Sequence, residues 1–194
     1  MSEKLKAFFE YNPLSFSYEE MPATAIDKYE HILPDYLIET WKKYGISSYQ
    51  DSFFFLVNPE DYSANLSQFL PDVTSKHVII RTALGGLIYF DESAEEACKR
   101  GGQQYSYLCP HYLQITPFTS NLAAVMNGWL TDEAIYAPLM FYYLYTAARK
   151  RLKAPAVDEC YGFNPALALG GDMSSESLTV FKIKEHLSFL SQLK

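Results

Sequence analysis

The sequence predicts an α+β fold, with antiparallel sheets packed against helices in two closely associated subdomains. Short runs of aromatic and β-branched residues end at Asn-Pro or Gly-Gly, which is typical of buried strands bounded by turns. Other stretches repeat apolar residues at three- and four-residue spacing, which is typical of helices that bury one face. The 194 residues, 48% of them hydrophobic, are enough to form one or two packed cores.

The pattern of residues 1–44 predicts a helical region that is interrupted by breaks. Pro34 begins a helix that Gly45 ends, because proline suits the first turn of a helix and glycine suits the position after its end. Trp41 falls at helical spacing within it and is expected in the core. The run 52–57 then predicts a buried strand, and Pro59 begins a short helix with acidic residues in its first turn.

A β-hairpin is expected in the middle of the chain. The runs 76–83 and 87–90 predict two strands, and Gly85-Gly86 forms the turn that joins them. An acidic connector follows, and Gly101-Gly102 then marks a boundary. We therefore predict two regions, residues 1–100 and 101–194.

The second region predicts strands followed by helices. Strands are expected at 105–108 and 112–116, and a helix at 119–130. A longer helix is expected to begin after Thr131, whose side chain accepts hydrogen bonds from exposed backbone amides. Pro138 is expected to kink this helix.

The paired glycines Gly170-Gly171 raise the question of a phosphate-binding loop. They lack the lysine and the glycine spacing that such a loop requires. We interpret 166–169 instead as a buried apolar segment, ending in a turn with positive φ, which glycine adopts most easily. Tyr161, Phe163 and Pro165 are expected to pack before this segment.

The final segment, 178–190, allows two interpretations. Its apolar positions fit either a strand that runs into a helix or one continuous helix, and the part from His186 onward is expected to be helical.

Charge is distributed unevenly along the chain. The net charge is −7, and residues 1–97 hold 16 acidic against 7 basic side chains, whereas residues 98–194 hold 7 against 9. This balance argues against nucleic acid and anionic membranes as partners and favours a basic protein partner for the first half. The interface residues we predict are acids in loops or at element ends with two neighbouring aromatic anchors: Tyr49, Asp51, Glu60, Asp61, Tyr62, Asp91, Glu92, Glu95 and Glu96.

The sequence contains no recognisable catalytic or metal-binding motif. The cysteines Cys98, Cys109 and Cys160 do not suggest a disulfide framework, and Cys109 lies near a single histidine without a second pair of ligands. No serine elbow or nucleotide loop is present. We therefore expect a non-enzyme without metal or cofactor, although a small hydrolase that uses Asp158, Glu159 or a cysteine remains an alternative.

The apolar runs are too short for a signal peptide or a membrane span. The longest of them lies around 134–148 and contains several tyrosine and phenylalanine rings. Together with the sparse cysteines, this indicates a cytoplasmic setting.

Several blocks of the sequence, taken in order, resemble one family. They are Leu33–Leu37 with Trp41–Gly45, then Val57–Tyr62, Arg81–Leu87 and Asp158–Gly171. Their order and spacing are similar to those of bacterial type VI secretion immunity proteins, which have an N-terminal GAD-like region and a C-terminal Tdi-type immunity domain. The similarity covers nearly the whole chain, and its last block is the most specific. The first block alone also resembles, more distantly, the SUKH immunity superfamily.

The resemblance implies a cytoplasmic antitoxin that binds a secreted toxin, often a DNase, without any cofactor or catalytic residues. It assigns 1–100 to the GAD-like region and 101–194 to the Tdi-type region. A DNase presents a basic groove for phosphates, which an acidic inhibitor can occupy. The alternative is an intracellular adaptor whose partner is unrelated to toxins. The residues expected to maintain the family framework are Trp41, Gly45, Pro59, Gly85, Glu159, Tyr161, Phe163, Pro165, Gly170 and Gly171.

Overall fold

A computed structural model of the chain describes residues 3–94, 104–119 and 121–193. Within these residues, one antiparallel sheet contains seven strands, each paired with its neighbours in the sequence. The predicted α+β class is therefore confirmed. The strands are β1 Leu14–Glu19, β2 Ile46–Tyr49, β3 Phe54–Leu56, β4 Lys76–Thr82, β5 Leu87–Asp91, β6 Tyr105–Cys109 and β7 Gln114–Pro117.

Helices cover the sheet, and a separate two-stranded ribbon lies near the C-terminus. The ribbon consists of β8 Glu159–Phe163 and β9 Leu178–Lys182, which pair antiparallel. The α-helices in the described residues are α1 Lys6–Tyr11, α2 Ala23–Tyr29, α3 Asp35–Tyr44, α4 Ser63–Phe69, α5 Leu122–Ala124, α6 Glu133–Met140, α7 Tyr142–Ala148 and α8 Ile183–Ser191. A π-helical turn, Val125–Trp129, continues α5.

The central sheet buries side chains on both of its faces. Phe54 and Leu56 face a large core that also contains residues of α1, α2, α3, α6 and α7. Phe55 and Val57 face a smaller core with residues of α4, β8 and α8. Because successive side chains of a strand point to opposite faces, the uninterrupted apolar character of β3 reflects a strand that is covered on both sides.

Helix α3 forms as the sequence predicts. Pro34 precedes its first residue, and Trp41 is buried with its ring edge-on to Tyr29. Gly45 follows the last residue at a positive φ of 62°, and a Cβ atom there would lie 2.0 Å from the carbonyl oxygen of Glu19. Only glycine therefore lets the chain leave α3 and enter β2 directly.

The hairpin of β4 and β5 is confirmed, and its turn contacts the C-terminal part of the chain. Gly85 has a φ of 79° in this turn, and its amide donates to the Thr82 carbonyl. The position where its Cβ would lie is 3.6 Å from the side chain of Leu187 in α8. The turn thus packs beside the C-terminal helix.

Three predictions about the helical regions were wrong. The N-terminal region contains strand β1, which pairs with β2, and is not wholly helical. The helix expected after Thr131 is two helices, α6 and α7, and the break lies at Phe141, with a φ of 60°, and not at Pro138. Asp132 caps the start of α6, because its side chain accepts a hydrogen bond from the Ala134 amide. The Thr131 hydroxyl donates instead to the Asn127 carbonyl.

The C-terminal ribbon is fixed to the central sheet by backbone and side-chain hydrogen bonds. The Tyr161 amide donates to the Ala83 carbonyl at 2.7 Å, and both Tyr161 and Phe163 are buried as expected. The Glu159 carboxylate accepts from the Ala156 amide. The predicted division at residue 100 falls between β5 and β6, which are neighbours in the sheet, and the division itself stays a prediction.

Arg81 forms a buried connection between the central sheet and the C-terminal ribbon. Its guanidinium is fully buried, lies 3.4 Å from the centre of the Phe55 ring, and donates from Nη2 to the carbonyls of Ala156 and Val157 at 3.1 and 2.8 Å. Within the described residues, its guanidinium donates to the backbone carbonyls of Thr82, Ala156 and Val157, and the Tyr62 side chain also lies within its hydrogen-bonding reach. Through the guanidinium of Arg81, strand β4 therefore holds in place the segment that leads into β8.

The segment 166–169 differs from its prediction. Ala166 is buried, but Leu169 is exposed, and a short 3-10 turn spans Leu167–Leu169. Pro165 is exposed as well and follows a cis peptide bond. The expected positive φ is present at Gly170, at 83°.

We expect Arg81→Lys to lower the free energy of unfolding by about 2–4 kcal/mol, because lysine cannot stack on Phe55 and bridge two carbonyls at once. Urea denaturation followed by circular dichroism measures the change. The matched control is Arg151→Lys, since the exposed Arg151 also donates to backbone carbonyls, and its cost should be about 1 kcal/mol or less. Equal costs for the two variants would contradict this account of Arg81.

The two glycines of the 170–171 pair should differ in their tolerance of alanine. A Cβ at Gly171 would lie 1.9 Å from the Pro165 carbonyl oxygen, whereas one at Gly170 meets nothing within 4 Å. Gly171→Ala should therefore cost about 3 kcal/mol because backbone atoms must move. Gly170→Ala should cost only about 1–2 kcal/mol, from the positive φ. Thermal unfolding of both variants checks the order, and a larger loss for Gly170→Ala would contradict it.

Candidate functional site

A groove lies where the first and last parts of the chain meet, and we call it the junction groove. Its volume is about 320 Å³. One wall comes from the ends of β1, β2 and β3 and the turn before α4, and the other comes from the segment before β8 and the start of α8. The lining residues are Glu19, Ile46, Val57, Asn58, Asp61 and Tyr62 on the first wall and Val157, Asp158, Lys182, Ile183, Lys184 and Glu185 on the second.

Carboxylates outnumber ammonium groups in the junction groove by four to two. Lys182 Nζ lies 2.6 Å from Asp158 Oδ2, and this hydrogen bond holds the pKa of the Asp158 carboxyl below its ordinary value. Lys184 Nζ lies 3.7 Å from Asp61 Oδ1. Each lysine is therefore already matched by a carboxylate from the groove.

Glu19 and Glu185 are the acids of the junction groove that form no ion pair within the described residues. Glu19 ends the edge strand β1, and Glu185 lies in the first turn of α8, where the helix dipole favours a negative charge. Both side chains are exposed at the surface. The groove thus presents two unpaired negative charges, one from each part of the chain, to any molecule that enters it.

The acids predicted from the sequence lie elsewhere or are paired within the chain. Arg149 holds Asp51 through two hydrogen bonds, Nε to Oδ2 at 2.9 Å and Nη2 to Oδ1 at 3.2 Å. Glu60 accepts from Lys28 Nζ at 2.6 Å, which is the main cause of its lowered pKa, and also from the Tyr29 hydroxyl. Of the predicted acids, Asp61 lines the junction groove.

Asp91 and Glu92 are also paired. Burial raises the pKa of the Asp91 carboxyl, but hydrogen bonds from Ser93 and Lys76 outweigh it, so that the net pKa is lowered. Glu92 Oε2 lies 3.4 Å from His77 Nε2. Glu95 and Glu96 lie outside the described residues. The assignment of these acids to an interface stays a prediction.

The two predicted aromatic anchors are buried. The Tyr49 ring packs against Phe8 and Phe9, and burial raises its pKa to about 12. Tyr62 lies beside Arg81, where burial also raises its pKa. Both rings fill the cores on either side of the sheet, and Tyr62 also lines the junction groove, so their role as anchors stays a prediction.

Sequence reasoning missed Glu19, Lys182, Lys184 and Glu185. Glu19 was overlooked because strand β1 was not predicted, and an isolated Glu-Glu pair carries no positional signal. The charges around α8 were a findable signal, since two lysines and a glutamate fall within 182–185, where a strand passes into a helix.

The two cysteines in the described part of the chain, Cys109 and Cys160, are buried, and burial keeps their thiols protonated. Burial raises the pKa of the Cys160 thiol to about 12 and also raises that of Cys109. Thiolates are the reactive form, so both cysteines behave as packing residues. Across 3–94, 104–119 and 121–193, no group of three or more histidine, cysteine or acidic side chains is arranged to hold a metal ion. In the same residues, no helix has the length and apolar character needed to cross a membrane.

Comparisons with known proteins agree on the family and the fold. The family model for the GAD-like domain matches residues 3–99, and the model described as T6SS (type VI secretion system) immunity protein Tdi1, C-terminal, matches residues 127–194. The crystal structure of Atu4351 from Agrobacterium tumefaciens is similar with a TM-score of 0.78, over 99% of this chain and 89% of that chain, at 15% identity. The TM-score demonstrates a shared fold, and at 15% identity the similarity shows the fold alone. A search of curated proteins finds no significant match.

Two buried histidines beneath the hairpin turn should make stability depend on pH. Burial and the neighbouring His186 lower the pKa of His111 to about 3, and burial lowers that of His186 to about 4. The unfolded chain binds these protons near pH 6.5. The free energy of unfolding should therefore have its full value above that pH and should decrease as the pH is lowered further, by about 1.4 kcal/mol per pH unit for each histidine.

Urea denaturation at pH 7.0, 6.0 and 5.0 measures this slope above the range in which carboxylates take up protons. His186→Phe keeps a ring beside Phe181 and removes one titrating group, so the slope should fall by about half. His31→Phe, at an exposed histidine, is the control and should keep the full slope. An unchanged slope in His186→Phe would rule out this origin.

Proposed function

The chain belongs to the GAD-like family and carries the C-terminal domain of T6SS immunity protein Tdi1, and from this premise we propose that it binds and neutralises a cognate secreted toxin. The family resemblance expected from the sequence blocks is confirmed by these two matches. The observation that carries the proposal is that both matched segments contribute a wall to one charged groove.

We propose further that the toxin is a DNase and that inhibition works by occlusion of its basic substrate surface. A nuclease needs lysine and arginine side chains where the phosphates bind, and such a surface attracts carboxylates. The excess of 16 acids over 7 bases in residues 1–97 supports this choice of partner. The unpaired Glu19 and Glu185 add local charge at the junction groove.

Internal pairing decides which acids contribute to such an interface. An acid that already holds a lysine or arginine gains little from a second cation, because its own pair must first separate or be shared. Asp51, Glu60 and Asp91 are in that state, and Glu92 contacts His77 instead of a lysine or arginine. Glu19 and Glu185 are not, so we assign them the main electrostatic contribution to toxin binding.

The cytoplasm is the compartment in which such a protein would act. An incoming DNase reaches its substrate there, and an immunity protein must meet the toxin before it reaches DNA. The two described cysteines are free and buried, which suits a reducing compartment.

The proposal predicts that the protein forms a stoichiometric complex with the toxin encoded beside it and suppresses that toxin's cleavage of plasmid DNA. We expect Glu19→Lys/Glu185→Lys to slow association at least about tenfold at low salt and to make the remaining binding less salt-dependent. Surface plasmon resonance at several salt concentrations measures the association rate, and a plasmid-nicking assay measures protection.

The matched control is Glu39→Lys/Glu133→Lys, which makes the same change in net charge. Glu39 lies within α3 and Glu133 in the first turn of α6; both are exposed, and neither lines the junction groove. This control should associate at close to the wild-type rate. If both double variants slow association equally, overall charge and not the groove attracts the toxin, and a wild-type protein without protective effect would refute the proposed function.

A further inference from the structure

A second groove, which we call the aromatic groove, lies beside the junction groove on the C-terminal ribbon. Its volume is about 430 Å³. The rings of Phe181 and His186 stack nearly parallel, with centres 4.5 Å apart, and Phe189 continues the row. Its apolar lining is Phe163, Pro165, Ala166, Leu169, Phe181 and Phe189, and the His186 ring lies among them.

Two large apolar side chains of the aromatic groove are exposed to solvent instead of being buried in a core. Leu169 is 59% exposed and Phe189 is 43% exposed. Leu169 lies on the 3-10 turn that Gly170 ends, so the backbone there presents this side chain to solvent and away from the core. Contiguous apolar surface of this kind on a folded protein is typical of a contact site.

The two grooves share the residues that separate them. Lys182 and Glu185 line both the junction groove and the aromatic groove. We call Lys182 and Glu185 together the shared ridge. Lys182 is already paired with Asp158, so the unpaired charge on the shared ridge is that of Glu185. A partner that covers the ridge therefore meets an unpaired carboxylate directly beside an apolar cleft.

We propose that the aromatic groove is the affinity-determining half of the toxin interface and that it receives an apolar or aromatic side chain of the toxin beside a basic residue that pairs with Glu185. This inference rests on the proposed function, since it names the toxin as the occupant. Charge complementarity identifies that occupant: the combined surface is apolar on one side of the ridge and acidic on the other, which fits the rim of a basic nuclease cleft.

The two grooves have different physical tasks in this arrangement. Exposed carboxylates accelerate encounter with a basic partner but add little binding energy after salt screening. An apolar side chain buried in a preformed cleft and shielded from water retards dissociation, which is how a few central residues dominate most interfaces. The dissociation rate should therefore depend on the aromatic groove and the association rate on the junction groove.

The experiment compares Leu169→Ser/Phe189→Ser with Leu14→Ser/Phe16→Ser. The control removes the same residue types from edge strand β1, where Leu14 is 45% and Phe16 is 57% exposed, outside both grooves. The probe is the toxin encoded beside this chain, inactivated at its catalytic site, and surface plasmon resonance gives both rate constants. Leu169→Ser alone is included, because this exposed position leaves the core unaltered.

We expect Leu169→Ser/Phe189→Ser to raise the dissociation rate about 100-fold, Leu169→Ser about tenfold, and the association rate and its salt dependence to stay within about twofold of wild type. The control should match wild type. If wild type binds and protects while both groove variants dissociate at the wild-type rate, or the β1 control loses affinity instead, the inference is overturned and the proposed function stands. If wild type binds no toxin, both fall.

Discussion

The buried guanidinium of Arg81 is the interaction on which the relation between the two ends of the chain depends. It stacks on Phe55 from β3, and its Nη2 atom holds the carbonyls of Ala156 and Val157. Those carbonyls belong to the segment that enters β8, so the ribbon and α8 are positioned from the middle of the central sheet. A buried cation with neutral partners is costly to maintain, and it is tolerated because leaving the carbonyls without donors would also be costly.

The walls of the junction groove follow from this connection. Val157 and Asp158 line the groove directly after the carbonyls that Arg81 holds, and the Ile183 amide donates to the Asp158 carbonyl at the start of α8. Lys182 then closes the wall by pairing with Asp158. The backbone of this wall is thus held by the hydrogen bonds of Arg81 and Ile183, so it needs little reorganisation when a partner binds, and less of the binding free energy is lost to ordering.

The sequence was informative where local chemistry decides the structure. Helix α3 and the β4–β5 hairpin were predictable because Pro34, Gly45 and Gly85 each satisfy a backbone requirement within a few residues. Strand β1 was not predicted although Leu14–Glu19 alternates apolar and polar residues, because its partner β2 lies about 30 residues away and Leu14 and Phe16 are exposed at the sheet edge instead of buried in a core. The interface was least predictable: the acids around Asp51 and Glu60 are paired by Arg149 and Lys28, which are distant in sequence, so a linear count of charge could not identify the unpaired carboxylates.

Burial separates the residues that maintain this fold from those that would select a partner. Arg81, Trp41, Tyr161 and Phe163 are buried, so a change at any of them alters folding before it alters binding. The exposed side chains of Glu19, Glu185, Leu169 and Phe189 have few neighbours to disturb, and substitutions there should cost little stability. An immunity protein built in this way can change its toxin specificity by exchanging groove residues while Arg81 keeps the two walls in place. In the proposed interface an exposed acid governs encounter and an exposed apolar side chain governs dissociation, so the two properties can also change independently of each other.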